Sequence, residues 1–433
     1  MEANWSAITA LTVFTGVAIS IARLWFRRWI NPLSAYSALW GLCLINYELR
    51  LIQYYPISIT AWSYICIAWI SLYLGAGLML LIGPQISVTP RFPLNVDLNK
   101  LKTAVLILSV IGSVGVIGQV ISVSQTFGIT AVLAAPGDIY RARIGNEMSG
   151  VPYAGAFSFA ACTLAAIHVA KIGKFTSFTV IPIVLVTLQL LFMMGRTGLG
   201  IAAVLFIVPL FYVGRDAGAI MPRWQRISGS AILTVMLCGV FVLVSAIRGL
   251  QVDFPGVTPT MERISEYVPF APSLYSNFSA TPVAFSQYLD SPEADRTGYW
   301  GMYTFAPLFR GASKLGFATD VPAYEENYWT PVPMNTSTYL KNVYSDFGPV
   351  GMCVFPLVLG ALITYLIQSM GNEPRLLAIV MLANIYVLIV FSFAFDFMLL
   401  GDWYIGIMAG VLAALIVGKT AKMRTESSVG QRA

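Results

Sequence analysis

Apolar stretches of roughly 17–25 residues, each long enough to cross a hydrocarbon core of about 30 Å as a helix, recur along almost all of this 433-residue chain. They lie near residues 5–21, 32–48, 58–83, 103–124, 151–170, 176–194, 197–214, 228–247, 347–369, 376–396 and 399–418, about 11 in all and bracketed at 10–12. Lipid offers backbone N–H and C=O groups no partner, so a spanning segment must satisfy them internally, as a helix does. The pattern predicts an all-α, polytopic integral membrane protein. Composition agrees: 57% of residues are hydrophobic and only 11% charged, against about 25% charged in soluble domains, and mean hydropathy is +0.75. Soluble enzymes, secreted disulfide scaffolds and disordered chains are excluded. The first stretch has neither a basic leader nor a small-residue cleavage site, which predicts a retained span.

The net charge of +6 reads as topology rather than nucleic-acid binding. With the N-terminus outside, the inner segments hold 16 cations against four acids, a balance of +12, and the outer segments hold 10 cations against 16 acids, a balance of −6. Lys and Arg concentrate in short cytoplasmic loops, so the expected orientation is N-out and C-in. The expected organisation is eight spans in 1–248 with a first outer loop at about 125–150, a large outer loop at 249–346, three spans in 347–418, and a cytoplasmic tail at 419–433. The large loop carries ten prolines and many tyrosines and tryptophans. That composition predicts short helices and turns, and its length marks it as functional.

Eight of the ten outer cations are arginines: Arg50, Arg141, Arg143, Arg196, Arg248, Arg263, Arg296 and Arg310. A guanidinium is a planar fork of donors that fits phosphate and diphosphate oxygens, so a subset of these is expected to bind an anionic substrate. Interfacial snorkelling or pairing with outer acids is the structural alternative for each. Arg196 sits in a turn between two apolar spans, where a charge is a functional-site candidate by default. Outer carboxylates, among them Glu147, Asp253 and Asp346, are candidate bases. Aromatic side chains in the large loop, Trp300 included, suit stacking on sugar faces. No metal site is expected: the five cysteines all fall in apolar stretches without metal spacing, the one histidine (His168) lies near an inner span end, and no DxD pair occurs.

Residues 331–360 carry Asn335-Thr336-Ser337-Thr338-Tyr339, then Tyr344-Ser345-Asp346-Phe347-Gly348 and Gly351. This pattern resembles bacterial O-antigen polymerases (Wzy-type oligosaccharide repeat-unit polymerases), as do the span plan and the Gly195-Arg196-Thr197 turn. The resemblance implies a membrane-embedded, GT-C-like glycosyltransferase without cofactor or metal, in the bacterial inner membrane with its active face periplasmic. Such an enzyme moves a glycan from an undecaprenyl-diphosphate carrier onto a new lipid-linked repeat unit. It implies diphosphate binding by Arg141 or Arg143, Arg196, Arg248 and Arg310, glycan or motif roles for Asn335, Thr336, Tyr339 and Tyr344, and a base among Glu147, Asp253 and Asp346. Asp346 equally suits a structural helix cap. Partners implied are lipid-linked glycans, a chain-length regulator and the flippase of the same pathway, with no nucleic acid. The R-x15-G spacing of some polymerases is not reproduced, since Phe157 and Phe159 stand where glycine would.

Two alternatives stay open. A flippase or transporter for lipid-linked oligosaccharide should show charges within its spans and internal pseudo-symmetry, and neither is evident. An O-antigen ligase typically presents an outer-face histidine, which this chain lacks.

Overall fold

Asparagine, serine and aspartate set the helix starts of the N-terminal half. Asn4, Asn31, Ser58 and Asp97 each accept backbone N–H bonds from the first turn of the helix that follows. The helices are α1 (Trp5–Phe26), α2 (Pro32–Leu49), α3 (Ile59–Ile82) and α4 (Leu98–Phe127). A 3₁₀ turn leads into α5 (Phe157–Ile172), followed by α6 (Ser177–Met193) and α7 (Thr197–Tyr212). Four short helices come next: α8 (Pro259–Tyr267), α9 (Ala271–Asn277), α10 (Thr281–Leu289) and α11 (Ala306–Lys314). A two-residue ladder pairs β1 (Tyr328–Trp329) with β2 (Pro333–Met334). The chain continues through α12 (Tyr339–Asn372), α13 (Leu376–Phe391) and α14 (Gly401–Gly430). This computed structural model describes residues 2–83, 94–128, 153–193, 197–213, 254–295, 297–317, 328–334, 336–372 and 375–430, with isolated positions between 130 and 142 and at 239.

The protein is an all-α, multi-pass membrane protein. Six described helical segments are long and apolar enough to cross a membrane: Trp5–Phe26, Ile59–Ile82, Leu98–Phe127, Ala154–Ile172, Tyr339–Met370 and Gly401–Gly418. α6, α7 and α13 are apolar but only 16–17 residues long, and the expected span at 228–247 lies outside the described residues apart from position 239. The helix expected to begin at 347 starts at Tyr339, so the Thr-Tyr and Tyr-Ser-Asp elements flank and form its first turns.

The chain folds as two compact units, each assembled from separated segments. The first comprises Met1–Ile86, Arg248–Tyr365 and Leu388–Leu400; the second comprises Ser87–Ile247, Leu366–Val387 and Gly401–Ala433.

Close backbone approach organises each unit. In the first, Gly75 of α3 faces the carbonyl of Leu357 on α12, and Gly360 of α12 faces the carbonyl of Leu72 on α3. A side chain at either position would collide with backbone. Small residues that let helices approach closely are how apolar helices associate in lipid, where burial from water supplies no drive. Ser71 and Cys353 touch across the same seam, 3.4 Å apart. In the second unit, α4 packs on α5 and on the 3₁₀ turn before it, with Gly112 against Ser158 of α5 and Gly115 against Gly155 of the turn.

The 50–58 connection of the first unit is stitched to residues 256–286. Gln53 N–H donates to the Gly256 carbonyl at 2.8 Å, Thr258 Oγ1 to the Leu51 carbonyl at 2.9 Å, and Tyr54 stacks on Tyr275 with ring centroids 6.4 Å apart. Gly75→Val or Gly360→Val is expected to lower stability by about 1–3 kcal/mol or more through overpacking. Gly16→Val, which meets nothing within 4 Å, should be near neutral. Thermal unfolding of the detergent-purified variants checks this.

Candidate functional site

A proline and a glycine create the site's central feature. Within α12, Gly348 adopts φ 59° and ψ −154°, a conformation that suits glycine because it lacks Cβ. Pro349 follows and has no N–H to give the carbonyl four residues back. That carbonyl belongs to Ser345, and it accepts instead from Gly298 N–H at 3.1 Å, while the Asp346 carbonyl accepts from Trp300 N–H at 3.3 Å. The Asp346 side chain completes the junction. Oδ1 accepts from Tyr303 N–H at 3.0 Å and Oδ2 from Thr304 N–H at 2.5 Å. Asp346 is 1% exposed. A carboxylate receiving backbone N–H groups forms strong charge-assisted bonds, and here it fixes the turn that launches α11.

α11 carries Arg310. Its Nη2 donates to the Leu399 carbonyl at 2.7 Å, and its Nε is buried with no hydrogen-bond partner among the described residues. Leu399 ends the 3₁₀ turn Phe397–Leu399, capped by Asp396, whose Oδ1 accepts from Met398 N–H at 3.0 Å. Asp396 Oδ2 accepts from Asn342 Nδ2 at 2.9 Å, and Asn342 lies on α12 one turn before Asp346. The bonds therefore close a circuit through α12, the 298–305 turn, α11 and the 397–399 turn.

Beside the circuit, the Lys341 ammonium lies 5.6 Å from the Tyr288 ring centroid and 5.0 Å from that of Tyr328, within cation–π range. The Tyr288 hydroxyl is 2.7 Å from Ser345 Oγ, and Tyr328 donates to Glu293 Oε2 at 3.0 Å. Burial pushes the Tyr288 phenol up to about 12, so it stays a neutral donor throughout the physiological range. Tyr344 packs between Tyr64 and Tyr288, at 5.4 and 6.2 Å. The hydroxyls of Ser337 and Thr338, just before α12, are buried without a hydrogen-bond partner among the described residues. Buried polar atoms are rarely left so.

Above Asp346, the turn presents Trp300, which is 82% exposed and held at φ 52° between Gly298 and Gly301, themselves at φ 95° and 91°. A left-handed backbone at a bulky residue is costly, and such strain persists where the surroundings over-determine it. The hydrogen bond from Trp300 N–H to the Asp346 carbonyl is part of what holds it.

Of the sequence-derived site residues, five lie in this unit's described part. Asp346 and Arg310 join the circuit, and Tyr344 borders the Lys341 cluster. Thr336 is half-buried ahead of α12. Tyr339 is buried against Trp40 at 6.4 Å, with its hydroxyl 3.4 Å from that of Tyr36. Glu147, Asp253, Arg141, Arg143, Arg196, Arg248 and Asn335 lie outside the described residues. Lys341, Asn342 and Asp396 were not singled out from sequence, and Tyr288 stood there only as one of the large loop's aromatics suited to sugar stacking. A signal existed for Asp396, a carboxylate at the last position of an apolar span; Lys341 was counted as an outer cation but set aside in favour of arginine. Among the described residues, no group of three or more His, Cys, Asp or Glu side chains is placed to hold a metal ion.

Fold and site together define a membrane-embedded helical protein with a buried polar cluster at a broken helix. Set against known proteins, the chain matches no family model, no curated protein and no solved structure.

Asp346→Ala is expected to leave the Tyr303 and Thr304 N–H groups without an acceptor and to cost about 1–3 kcal/mol. Asp346→Asn keeps one acceptor oxygen and should cost less. The order of the two melting temperatures is the readout.

Proposed function

We propose that the protein polymerises undecaprenyl-diphosphate-linked oligosaccharide repeat units by metal-independent glycosyl transfer at the periplasmic face of a bacterial inner membrane. The observation that carries this reading is the circuit joining the Tyr-Ser-Asp-Phe-Gly segment to Arg310. A motif that resembles the polymerases is physically tied to an arginine whose Nε lacks a partner among the described residues. In the reaction, the bond between the donor sugar's anomeric carbon and the diphosphate breaks, and a bond from that carbon to an acceptor hydroxyl forms. Undecaprenyl diphosphate leaves, and the hydroxyl proton passes to a carboxylate.

Arg310 stabilises the charge that develops on the diphosphate, an electrostatic task that a fixed guanidinium performs without a metal. Arg248, Arg196 and Arg141 or Arg143 are assigned the remaining phosphate contacts. Both oxygens of buried Asp346 already accept backbone N–H bonds, which favours it as a positioning residue, so Glu147 and Asp253 are the preferred bases. Trp300 offers an exposed ring for stacking on the acceptor sugar. The N-out, C-in orientation puts the 249–346 segment in the periplasm, alongside the flippase and chain-length regulator of the pathway.

Purified protein given synthetic undecaprenyl-diphosphate repeat units should yield a ladder of products. Translocation without lengthening would contradict the polymerase. Arg310→Ala should lower the rate about a hundredfold or more at unchanged expression. Trp300→Ala should raise KM for the acceptor, with Trp300→Phe closer to wild type. Unchanged rates for Arg310→Ala would remove it from the diphosphate site.

A further inference from the structure

The face of α11 that points away from Arg310 is apolar and open. Leu308 and the C-cap Leu315 stand two helical turns apart on one side, 56% and 72% exposed. Arg310 lies about 200° round the helix from Leu308, on the side that carries Ser313 and the fully buried Ala306. The sequence also sets how the helix ends. Gly316, at φ 78°, closes a Schellman turn: its N–H donates to the Ser313 carbonyl and Phe317 N–H donates to the Ala312 carbonyl, each at 2.9 Å. That turn brings Phe317, 83% exposed, back towards Ala312 on the apolar side. Residues 306–317 contain Arg310 and Lys314 and no acid. Leucine and phenylalanine on one face with cations on the other is the composition of a helix that lies in a membrane surface.

Two anchors fix the depth of α11. At its start, Tyr303 and Thr304 N–H groups bond to Asp346, four residues before Val350 of α12. Val350 opens a line of exposed side chains with Val354 and Val358, at 68%, 51% and 55%, within the span Tyr339–Met370. Four residues apart, these valines share one side of the helix and form a lipid-facing stripe. Further along α11, Arg310 bonds to the Leu399 carbonyl, two residues before the span Gly401–Gly418 begins. Both anchors therefore sit where an apolar span meets the membrane surface, and α11 runs along that surface instead of rising from it.

We infer that α11 is an interfacial helix whose Leu308, Leu315 and Phe317 insert into the headgroup–acyl boundary of the adjoining leaflet. The exposed Lys314 extends from its flank to the lipid phosphates. A protein partner would also cover apolar side chains, but both anchors hold the helix at the depth where lipid is already present. Arg310, on the opposite face, is thereby held near the level of lipid phosphates. The inference does not depend on glycosyl transfer.

The test places the photo-crosslinker p-benzoylphenylalanine, which bonds to neighbouring C–H groups on irradiation, at single positions of the full chain. The protein is reconstituted in vesicles of phosphatidylethanolamine and phosphatidylglycerol. Leu315→p-benzoylphenylalanine and Phe317→p-benzoylphenylalanine change exposed side chains and should melt as wild type does. After irradiation, intact mass spectrometry should show both carrying one phospholipid, at a yield close to that of Val354→p-benzoylphenylalanine on the lipid-facing stripe. Loss of the lipid adduct at both 315 and 317 while position 354 retains it, or crosslinks to a second polypeptide in its place, would overturn the inference.

Discussion

The two backbone N–H bonds that Asp346 accepts from Tyr303 and Thr304 are the constraint on which the site in the first unit depends. Without them the 298–305 turn keeps only its two backbone bonds to α12, from Gly298 and Trp300, and α11 loses the fixed start that aims Arg310 at Leu399. The remaining links share the same logic: Arg310 to the 397–399 turn, Asp396 capping that turn, and Asn342 returning the chain of bonds to α12. Each buried charge or amide has its partner on a different stretch of sequence. Local propensity alone cannot produce the arrangement, and removing one member exposes the others as unsatisfied groups.

The broken helix turns a local defect into a tertiary junction. Pro349 leaves the Ser345 carbonyl without its helical donor, and Gly348 supplies the bend that lets another segment provide one. Irregular backbone at membrane depth is tolerated when protein satisfies it. Here the satisfying segment brings Trp300 into an exposed, left-handed position. The strain of that residue and the kink of α12 are thus parts of one junction.

Much of the fold was legible because hydrophobic length is a strong signal. The helices α1, α3, α4 and α5 stand close to where apolar runs of sufficient length predicted spans. The start of α12 was not legible, because Tyr339-Leu-Lys-Asn-Val-Tyr-Ser-Asp is too polar to read as membrane helix, yet its polar face is buried against residues 281–304. The site was legible in part. Asp346 and Arg310 stood out by motif and charge, whereas Lys341, Asn342 and Asp396 join the site through Tyr288 and through each other, pairs more than 50 residues apart that no periodicity reveals. The division into two units of interleaved segments is likewise invisible to a reading that moves along the chain.

The central claim is that the circuit around Asp346 holds Arg310 for a lipid-linked diphosphate. The most direct measurement is an experimental structure with an undecaprenyl-diphosphate repeat unit bound. The account predicts diphosphate oxygens within hydrogen-bond distance of the Arg310 guanidinium, with the Asp346 bonds to Tyr303 and Thr304 intact. A diphosphate seated at the Arg23, Arg27 and Arg28 end of α1, with Arg310 untouched, would contradict it.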